Sequence, residues 1–345
     1  MITSPSTRYQ GSKQKIVKWI WENIRDLKFK TFLDAFSGTG TVGYYAKLHK
    51  KEVTVNDILN TNLIIGQSII ENSKERLSQK DVNFILEEHS NIKYPSFIQD
   101  TFKAIYYNDE ENHWLDVVIT NINQIKNKYK RAIALNALFQ SCIVKRPFNL
   151  FHRKNLYVRF ASVKRSFGNK KTWDTPFPEH FKKFVREINN CIFDNGKNNK
   201  AINFDAFDIP NPNDYDLVYI DTPYFSTHSM VGVDYRDFYH FLEGLVNYDD
   251  WKNMIDWKSK HLRLRKVPCV WTNKNEIHNA FDNLFKKFQK SILVVSYRAG
   301  GIPNREEMVE LLKKYKANVV VKSKKYKYVL SNNNGSSELL FIATD

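Results

Sequence analysis

The sequence has few cysteines, no paired histidines and no long apolar run, and each absence excludes a class of protein. Its three cysteines are far apart and form no Cys-x-x-Cys pair, which argues against both a disulfide framework and a zinc site. The nine histidines show no ligand spacing, so we expect no metal. No apolar stretch is long enough to cross a bilayer, and no charged-then-apolar signal opens the chain. These absences predict a cytoplasmic protein that needs no membrane.

Acidic residues are also scarce relative to basic ones. Lys and Arg number 53 against 37 Asp and Glu, which gives the 345-residue chain a formal charge of +16. An excess of this size indicates a polyanionic partner such as nucleic acid, with an anionic membrane surface as the weaker alternative. The length favours about two domains, and an apolar content of 42% is enough for a real core.

One segment, residues 145–173, contains no acid at all. It holds nine Lys or Arg and six aromatic residues. Basic residues interleaved with aromatics suit a groove that follows phosphates and stacks bases, although a solvated surface can be equally basic. We predict that the segment contacts nucleic acid through eight side chains: Lys145, Arg146, His152, Arg153, Lys154, Arg159, Lys164 and Arg165.

The strongest chemical signal follows a short apolar run, residues 217–220. The run predicts a buried strand, which Pro223 must end. The carboxyl end of this strand then presents Asp221, the Thr222 carbonyl and Tyr224. In open α/β sheets, that edge is where ligands bind.

These groups suit the activation of an exocyclic amine on a nucleobase. Such an amine is a poor nucleophile because its lone pair is delocalised into the ring. Two acceptors, the Asp221 carboxylate and the Thr222 carbonyl, can take both N–H bonds and aim the lone pair. Pro223 holds Thr222 extended, and Tyr224 can stack on a base pulled out of the duplex. The alternative is a strand that ends in a proline turn with a solvated Asp.

A βαβ unit occupies the N-terminal part of the chain. A strand that starts at Thr31 runs into a turn with Gly38 and Gly40, and a helix and a second strand over residues 52–55 lead to Asp57. Asp57 follows Gly38 by about 20 residues, the spacing of the acid that binds ribose hydroxyls in doubly wound folds. This order favours a nucleoside-containing cofactor over a purely structural unit.

Two other stretches give weaker indications of a ligand site. Gly11 and Lys13 lie in a turn that opens a helix over residues 14–27. Such a turn can bind an anion or a carboxylate, although many helices begin this way. Asp205 and Phe207 follow a predicted strand near residue 201, where they would either flank a flat heterocycle or serve the fold alone.

The rest of the chain predicts further helices and strands. We expect helices over residues 61–78, 124–144, 179–193 and 305–315, and strands over 267–271, 292–297, 317–321, 326–330 and 338–343. An Asn-Gly pair between the last two strands is a hairpin signal. The predicted fold class is therefore α/β, with a doubly wound, Rossmann-like sheet that ends in an antiparallel hairpin.

Four short motifs occur along the chain in a specific order: Arg8-Tyr-Gln-Gly-Ser-Lys13, Asp34-Ala-Phe-Ser-Gly-Thr-Gly40, Asn56-Asp57 and Asp221-Thr-Pro-Tyr224. Together they resemble the motifs of the Dam-like, alpha-class N6-adenine-specific DNA methyltransferases. A long insertion lies where that class keeps its target-recognition domain. The resemblance implies a discontinuous catalytic domain that binds S-adenosylmethionine, residues 1–79 and 190–345, and a target-recognition, DNA-binding insertion, residues 80–189.

The resemblance also implies a reaction, a cofactor and partners. The methyl donor is S-adenosylmethionine, and the acceptor is the N6 amine of an adenine flipped out of double-stranded DNA. The implied catalytic residues are Asp221, Thr222, Pro223 and Tyr224, with Thr222 in place of the first proline usual in the family. The implied cofactor-binding residues are Tyr9, Gly11, Lys13, Asp34, Phe36, Gly38, Gly40, Asp57, Asp205 and Phe207. A bacterial or phage restriction-modification system, with a cognate restriction endonuclease as partner, is the implied setting.

Two other functions stay open at this point. An RNA adenine-N6 methyltransferase shares the chemistry, but such enzymes usually carry Asn rather than Asp before the proline. A non-catalytic DNA-binding specificity subunit on a methyltransferase scaffold would bind DNA and transfer nothing.

Overall fold

The computed structural model describes residues 5–162, 170–226, 232, 234–325 and 337–345. The described residues divide into two compact units, and the chain passes repeatedly from one to the other. The sheet unit comprises Gln10–Gly66, Asp194–Asp234 and Val267–Asp345, and the helical unit comprises Met1–Tyr9, Gln67–Phe193 and Tyr235–Lys266, counting only described residues. The stretch 80–189 lies within the helical unit, and its role as a target-recognition domain stays a prediction.

The described strands form one large sheet and one small one. They are β1 (Thr31–Asp34), β2 (Glu52–Asn56), β3 (Lys200–Ile202), β4 (Leu217–Ile220), β5 (Phe225–Ser226), β6 (Ile292–Arg298), β7 (Gly301–Ile302), β8 (Asn318–Lys325) and β9 (Ser337–Thr344). The large sheet has the order β3-β2-β1-β4-β6-β9-β8, and β5 pairs with β7. Neighbours from β3 to β6 are parallel, whereas β9 runs antiparallel to both β6 and β8. The predicted α/β class, with a mostly parallel sheet and an antiparallel end, is confirmed.

The described helices are mostly short. The α-helices are α1 (Val17–Ile24), α2 (Thr41–Leu48), α3 (Asn60–Gly66), α4 (Gln79–Leu86), α5 (Phe97–Thr101), α6 (Asp109–Asn123), α7 (Lys128–Val144), α8 (Tyr157–Phe160), α9 (Lys170–Asp174), α10 (Phe177–Cys191), α11 (Tyr235–Val246), α12 (Trp251–Met254), α13 (Ile277–Lys287) and α14 (Arg305–Lys313). Single turns of 3-10 helix cover Lys13–Lys15, Pro147–Asn149, Pro212–Asp214 and Val270–Thr272, and a π-helical turn, Gln67–Glu71, continues α3. None of the helices in the described part has the length and apolarity needed to cross a membrane.

The central strand β4 shows how local sequence sets this fold. All four of its residues are buried and apolar or aromatic, as expected for a strand that is covered on both faces. Its neighbours are β1 on one side and β6 on the other. Because the chain leaves β1 toward β2 on one side and reaches β6 on the other, the winding direction reverses between β1 and β4. Ligands bind at such a reversal in open α/β sheets.

The antiparallel end of the sheet has a buried strand and an edge strand. β9 is buried over its six inner residues, whereas β8 alternates between half-buried and exposed positions. The edge strand carries Lys322, Lys324 and Lys325, and lysines on an edge discourage pairing with another chain. The predicted strand over residues 326–330 and the Asn-Gly turn lie outside the described residues.

Two secondary-structure predictions were wrong or too long. The strand expected over residues 267–271 is instead irregular and ends in the 3-10 turn Val270–Thr272. Val267 is 55% exposed there, and Pro268 lacks the N–H that a ladder needs. The helix expected over residues 61–78 ends at Glu71, where the π-helical turn stops.

The helical unit is organised around α7. This helix is buried from Ala132 to Val144, and α6 and α10 pack against it. α10 turns Phe177, Phe181, Phe184 and Ile188 inward at helical spacing. The opposite face of α10 therefore remains for solvent or a ligand.

Candidate active site

The motifs of the sheet unit meet at the carboxyl ends of β1 and β4. These strands are parallel, with Asp34 opposite Tyr219. Asp34 therefore ends β1 beside the point where β4 delivers Asp221. The glycine turn follows β1, and the Asp-Thr-Pro-Tyr stretch follows β4, so two distant parts of the sequence share one sheet edge.

The glycine turn after β1 is tied to the acid that follows β2. Gly38 and Gly40 have φ of 52° and 68°, a left-handed conformation that favours glycine. The Gly38 N–H donates to Asp57 Oδ2 at 2.9 Å, and the Leu59 N–H donates to Asp57 Oδ1 at the same distance. A Cβ at Gly38 would meet no atom within 4 Å, so the turn faces open space on that side. Turn and carboxylate thus form one hydrogen-bonded unit that faces open space at Gly38.

Asp34 is buried and only partly satisfied. Its Oδ2 accepts the Gly43 N–H in the first turn of α2 at 3.1 Å, while its Oδ1 has no partner among the described residues. Burial, with the nearby charge of Asp221, raises the pKa of Asp34 to about 8. An unpartnered oxygen at this depth is costly unless a ligand donates to it. The predicted cofactor role of Asp34 is compatible with this geometry and remains a prediction.

Asp221 is held by a lysine from the N-terminal motif. Lys13 Nζ lies 2.8 Å from Asp221 Oδ1 and 3.3 Å from Glu338 Oε1. Glu338 lies on β9, is 1% exposed, and accepts a hydrogen bond from Ser296 Oγ at 2.5 Å. The Asp221 side chain keeps 20% of its surface exposed. We call Asp221, Lys13 and Glu338 the acidic triad, because it contains two carboxylates for one cation.

The triad sets the charge state of its members. Burial raises the pKa of Asp221 to about 6; the charge of Lys13 opposes this shift, and that of Glu338 adds to it. Burial alone would lower the pKa of Lys13, but the two carboxylates outweigh it and hold that pKa well above its usual value. Lys13 therefore stays protonated near neutral pH, and Asp221 is mostly ionised. The sequence analysis predicted that Lys13 contacts the cofactor. In the structure, Lys13 forms an ion pair with Asp221, the predicted catalytic residue.

The residues after Asp221 complete the predicted acceptor pair. Thr222 is 3% exposed, and within the described residues no hydrogen bond ends on its carbonyl. Its role as the second acceptor stays a prediction. Pro223 follows it, and the Tyr224 ring lies 5.7 Å from the Arg298 guanidinium carbon. Burial raises the pKa of Tyr224, so its ring stays a neutral stacking surface.

An aromatic wall accompanies the glycine turn. Phe207 stacks on Trp271 at a centroid distance of 5.6 Å with planes 10° apart, and Phe36 meets Trp271 edge-on at 5.2 Å. Asp205 is exposed, and its Oδ1 accepts the Phe207 N–H at 3.0 Å, which fixes the turn that carries the ring. Phe36 and Phe207 thus meet on Trp271, and Asp205 holds the turn of Phe207; that Asp205 and Phe207 flank a flat heterocycle stays a prediction. Trp271 was missed, because its stretch was interpreted as a strand.

Tyr9 and Gly11 fall in different units. Gly11 is in the sheet unit with φ of 86°, as its turn requires. Tyr9 is in the helical unit, where its ring stacks on Tyr239 at 3.9 Å and runs parallel to Tyr235 at 6.1 Å. It is 7% exposed. Its predicted cofactor contact stays untested, while its packing in the tyrosine stack is clear.

Three of the cations predicted to contact nucleic acid are buried inside the helical unit. Lys145, Arg146 and Arg159 are only 2%, 1% and 4% exposed. Arg146 donates to the carbonyls of Tyr106 at 2.9 Å and Leu150 at 3.3 Å, and to Asn155 Oδ1. The structure does not support a phosphate contact for these three, because a buried guanidinium or ammonium that is already hydrogen-bonded cannot reach a duplex without unfolding its surroundings.

Lys145 and Arg159 share one carboxylate. Glu111 Oε1 lies 2.9 Å from Lys145 Nζ, and both Glu111 oxygens accept from Arg159 at 2.7 Å. Burial would raise the pKa of Glu111, but its bonds to Arg159 and the charge of Lys145 lower it overall. Lys145 also donates to the carbonyls of Trp173 and Thr175. We call Glu111, Lys145 and Arg159 the basic triad.

The other predicted nucleic-acid contacts remain accessible or undescribed. Arg153 and Lys154 are exposed, and His152 is half-buried. Burial and the charge of Arg153 lower the pKa of His152 to about 4, so it is neutral at pH 7. Lys164 and Arg165 lie outside the described residues.

Exposed aromatics lie in the same part of the helical unit. Phe148, Tyr157 and Phe160 are 41%, 72% and 59% exposed, although large apolar side chains are usually covered. Phe148 and Asn149 both have positive φ, 62° and 59°, which is uncommon for residues other than glycine. This part of the helical unit therefore presents aromatic surface to solvent beside its exposed cations.

The sequence matches the profile of a known family over most of its length. The match covers residues 9–310 and the family is described as D12 class N6 adenine-specific DNA methyltransferase. The chain is 28% identical to the type II methyltransferase M2.HphI of Haemophilus parahaemolyticus over 98% of this chain and 97% of that protein.

Two longer proteins are also similar. The modification methylase StsI of Streptococcus sanguinis is 26% identical over 97% of this chain and 51% of its own length. The modification methylase LlaI of Lactococcus lactis subsp. lactis is 23% identical over 96% of this chain and 52% of its own. This chain therefore spans about half the length of those two relatives.

Proposed function

The chain belongs to the D12 class of N6 adenine-specific DNA methyltransferases, and we propose that it transfers the methyl group of S-adenosylmethionine to the N6 amine of an adenine flipped out of duplex DNA. The observation that carries the proposal is the arrangement after β4. There Asp221 and the Thr222 carbonyl form an acceptor pair, and Lys13 lies 2.8 Å from the carboxylate.

The glycine turn and the acids beside it fit such a cofactor. Gly38 faces open space, Asp57 is fixed by two main-chain N–H groups, and Asp34 Oδ1 lacks a partner among described residues. We assign the ribose to Asp57 and the adenine ring of the cofactor to the wall of Phe36 and Phe207. The bound cofactor supplies a methyl group on a sulfonium, an electrophile that needs no further activation.

Asp221 has two tasks in this reaction. Its Oδ1 is occupied by Lys13, so Oδ2 is the oxygen that accepts a hydrogen bond from the N6 amine, while the Thr222 carbonyl accepts the other. The two bonds localise the lone pair on nitrogen. When the nitrogen gains its bond to the methyl carbon, the bond from that carbon to sulfur would break and the sulfur would leave with the electron pair as a neutral thioether. The nitrogen is then cationic and loses one proton. Asp221, with its pKa near 6, takes that proton and passes it to water.

The target base needs a surface on which to rest outside the duplex. Tyr224 follows the acceptor pair directly, and Arg298 stabilises its ring through a cation–π contact at 5.7 Å. A neutral aromatic ring can replace the stacking that the base loses on leaving the helix. We assign this role to Tyr224.

The helical unit supplies DNA contacts in this proposal. Exposed cations at Arg153 and Lys154 occur in the same segment as the exposed rings of Phe148, Tyr157 and Phe160. Mixed basic and aromatic surface suits phosphates and unstacked bases. We propose that this unit reads the target site, and that the chain modifies DNA in partnership with a cognate restriction endonuclease, as the names of its relatives suggest.

The direct test is methyl transfer from labelled S-adenosylmethionine to unmethylated duplex DNA, followed by mass spectrometry of the nucleosides. We expect N6-methyladenine, confined to one sequence when the products are mapped. Label on RNA in place of DNA would instead support an RNA methyltransferase. Binding of DNA with no transfer to either would indicate a specificity subunit and overturn the proposal.

A further inference from the structure

The helical unit contains a basic cavity that the predicted site residues do not explain. It has a volume of about 710 Å³ and lies between the N-terminal segment, α9 and α10. Five of its lining residues carry a positive charge: Arg8, Lys171, Lys182, Lys183 and Arg186. Glu179 is the one carboxylate among the described lining residues. None of the five cations belongs to the eight positions that the sequence selected.

The cavity uses the outer face of α10. Residues 179, 182, 183 and 186 are spaced at three, four and seven positions, which places them on one side of a helix. The opposite side of α10 packs into the core of the helical unit. The helix is thus anchored by its apolar face and displays a row of cations on the other. Arg8 and Lys171 add charge from two separate segments.

Most of this charge is not neutralised within the described part of the protein. Lys183 lies 3.7 Å from Glu187, whose carboxylate also accepts two hydrogen bonds from Ser6. The side chains of Arg8, Lys171, Lys182 and Arg186 make no ion pair with any described residue. Cations that line one cavity repel one another, which destabilises the protein unless an anion binds there.

The neutral lining residues suggest which anion would fit. Hydroxyl groups come from Ser6, Thr7, Thr172 and Thr175, but the Ser6 hydroxyl donates to Glu187 and the Thr175 hydroxyl donates to the Lys171 carbonyl, so the cations are the groups that can bind an anion. His180 is buried, its Nε2 contacts the Thr172 carbonyl at 2.8 Å, and burial lowers its pKa, so it remains neutral. The one aromatic residue in the lining is Phe184, which is 2% exposed and offers no face for a base.

We propose that this basic cavity binds the phosphate backbone of the duplex DNA substrate and contributes affinity without sequence preference. The inference rests on the proposed function for the identity of the polyanion. Cations around a space to which the described lining residues offer no exposed aromatic ring match the chemistry of a sugar-phosphate backbone and not that of a base. The contacts that distinguish sequences then belong to other parts of the helical unit.

The test is DNA affinity as a function of salt for the full chain and for the double variant Lys182→Gln/Arg186→Gln. Fluorescence anisotropy with one duplex that is methylated and one that is not would give Kd for each between low and physiological salt. We expect Kd to rise roughly tenfold for both duplexes, and the slope of log Kd against log salt to fall by about two, because two phosphate contacts are lost. The Kd for S-adenosylmethionine should not change.

A matched control removes the same charge elsewhere on the helical unit. Lys80 in α4 and Lys103 after α5 are exposed and lie outside the cavity. Lys80→Gln/Lys103→Gln should leave the salt slope near that of the unmodified protein. A second double variant, Arg8→Gln/Lys171→Gln, removes two cations that line the cavity from outside α10. It should give the same rise in Kd and the same fall in salt slope as Lys182→Gln/Arg186→Gln.

The outcomes separate this inference from the function it rests on. Suppose that the unmodified protein methylates DNA and that both cavity variants have the same salt slope as the unmodified protein. The proposed role of the cavity would then be wrong, and the proposed function would stand. If the cavity variants lost affinity for the methylated duplex alone, the cavity would be contacting a base, and the proposal that it binds the backbone would be wrong. If the cavity variants lose DNA affinity but the unmodified protein methylates no DNA, the proposed role of the cavity would stand and the proposed function would be wrong.

Discussion

Two buried charge clusters in the described part of the chain have opposite composition. The acidic triad of the sheet unit has two carboxylates, Asp221 and Glu338, for one lysine, whereas the basic triad of the helical unit has two cations for one carboxylate, Glu111. The basic triad is closed to solvent, since Lys145 and Arg159 are only 2% and 4% exposed; main-chain carbonyls accept the remaining N–H groups of Lys145, while Arg159 Nε has no partner among the described residues. The acidic triad leaves Asp221 with 20% exposure. The two clusters therefore differ in accessibility: the basic triad is sealed inside the fold, whereas the acidic triad leaves part of a carboxylate exposed, as the proposed chemistry requires.

The largest expected effect comes from removing the open carboxylate. Asp221→Ala should lower kcat by roughly a thousandfold or more, since the amine loses its charged acceptor. Its affinity for S-adenosylmethionine and its free energy of unfolding should change little. Single-turnover methyl transfer, calorimetric binding and urea unfolding would measure all three. Asp26→Ala, at an exposed acid of the same unit, is the control and should be normal. Unimpaired transfer by Asp221→Ala would refute the assigned role.

The closed cluster should respond in the opposite way. Glu111→Gln leaves Lys145 and Arg159 buried without a counter-charge, and breaking such a pair from one side costs about 3 kcal/mol. We expect urea unfolding to move to lower concentration by that amount, while kcat of the protein that remains folded stays within a few-fold of normal. Glu87→Gln, at an exposed acid that follows α4, provides the matched control for stability. A large loss of kcat with unchanged stability would show that the two clusters do not differ as described.

The sheet unit also allows a test of ligand binding separate from chemistry. Asp57→Ala removes the acceptor for the Gly38 and Leu59 N–H groups and the proposed ribose contact. Loss of one or two such charged hydrogen bonds should raise the Kd for S-adenosylmethionine by roughly tenfold to a hundredfold. Asp57→Asn keeps an acceptor oxygen, so its Kd for S-adenosylmethionine should lie between those of the unmodified protein and Asp57→Ala. Calorimetry that finds the same Kd in all three proteins would remove Asp57 from the site.

The comparison also shows what a sequence can and cannot reveal. β4 was predicted at its observed bounds, because a buried central strand is a local apolar run ended by a proline signal. The acidic triad was not, since Glu338 comes from β9 near the other end of the chain and no local pattern marks it. The absence of acids from residues 145–173 was counted correctly. The count could not show that Glu111, which lies outside that segment, forms ion pairs with Lys145 and Arg159. The strand could be predicted because its signal is local, whereas both triads join residues that are far apart in the sequence.

The smallest expected effect concerns the second carboxylate of the acidic triad. Glu338 contacts Lys13 and not the proposed substrate, so we regard it as a positioning residue. Its negative charge adds to the raised pKa of Asp221, which also faces Asp34, Tyr219 and Tyr224 in the same unit. Activity of the unmodified protein should fall as the pH drops through about 6, because Asp221 becomes protonated.

Replacing Glu338 by Gln should shift that fall in activity. Without the second negative charge, the pKa of Asp221 is lower, and Lys13 is left to Asp221 alone. The acidic limb of kcat against pH should therefore move down by roughly half a pH unit, with little change above pH 8. Glu338→Asp keeps the charge and should retain the normal limb. A uniform loss of kcat with no movement of the limb would mean that Glu338 serves only the packing of β9, and the acidic triad would then be as structural as the basic one.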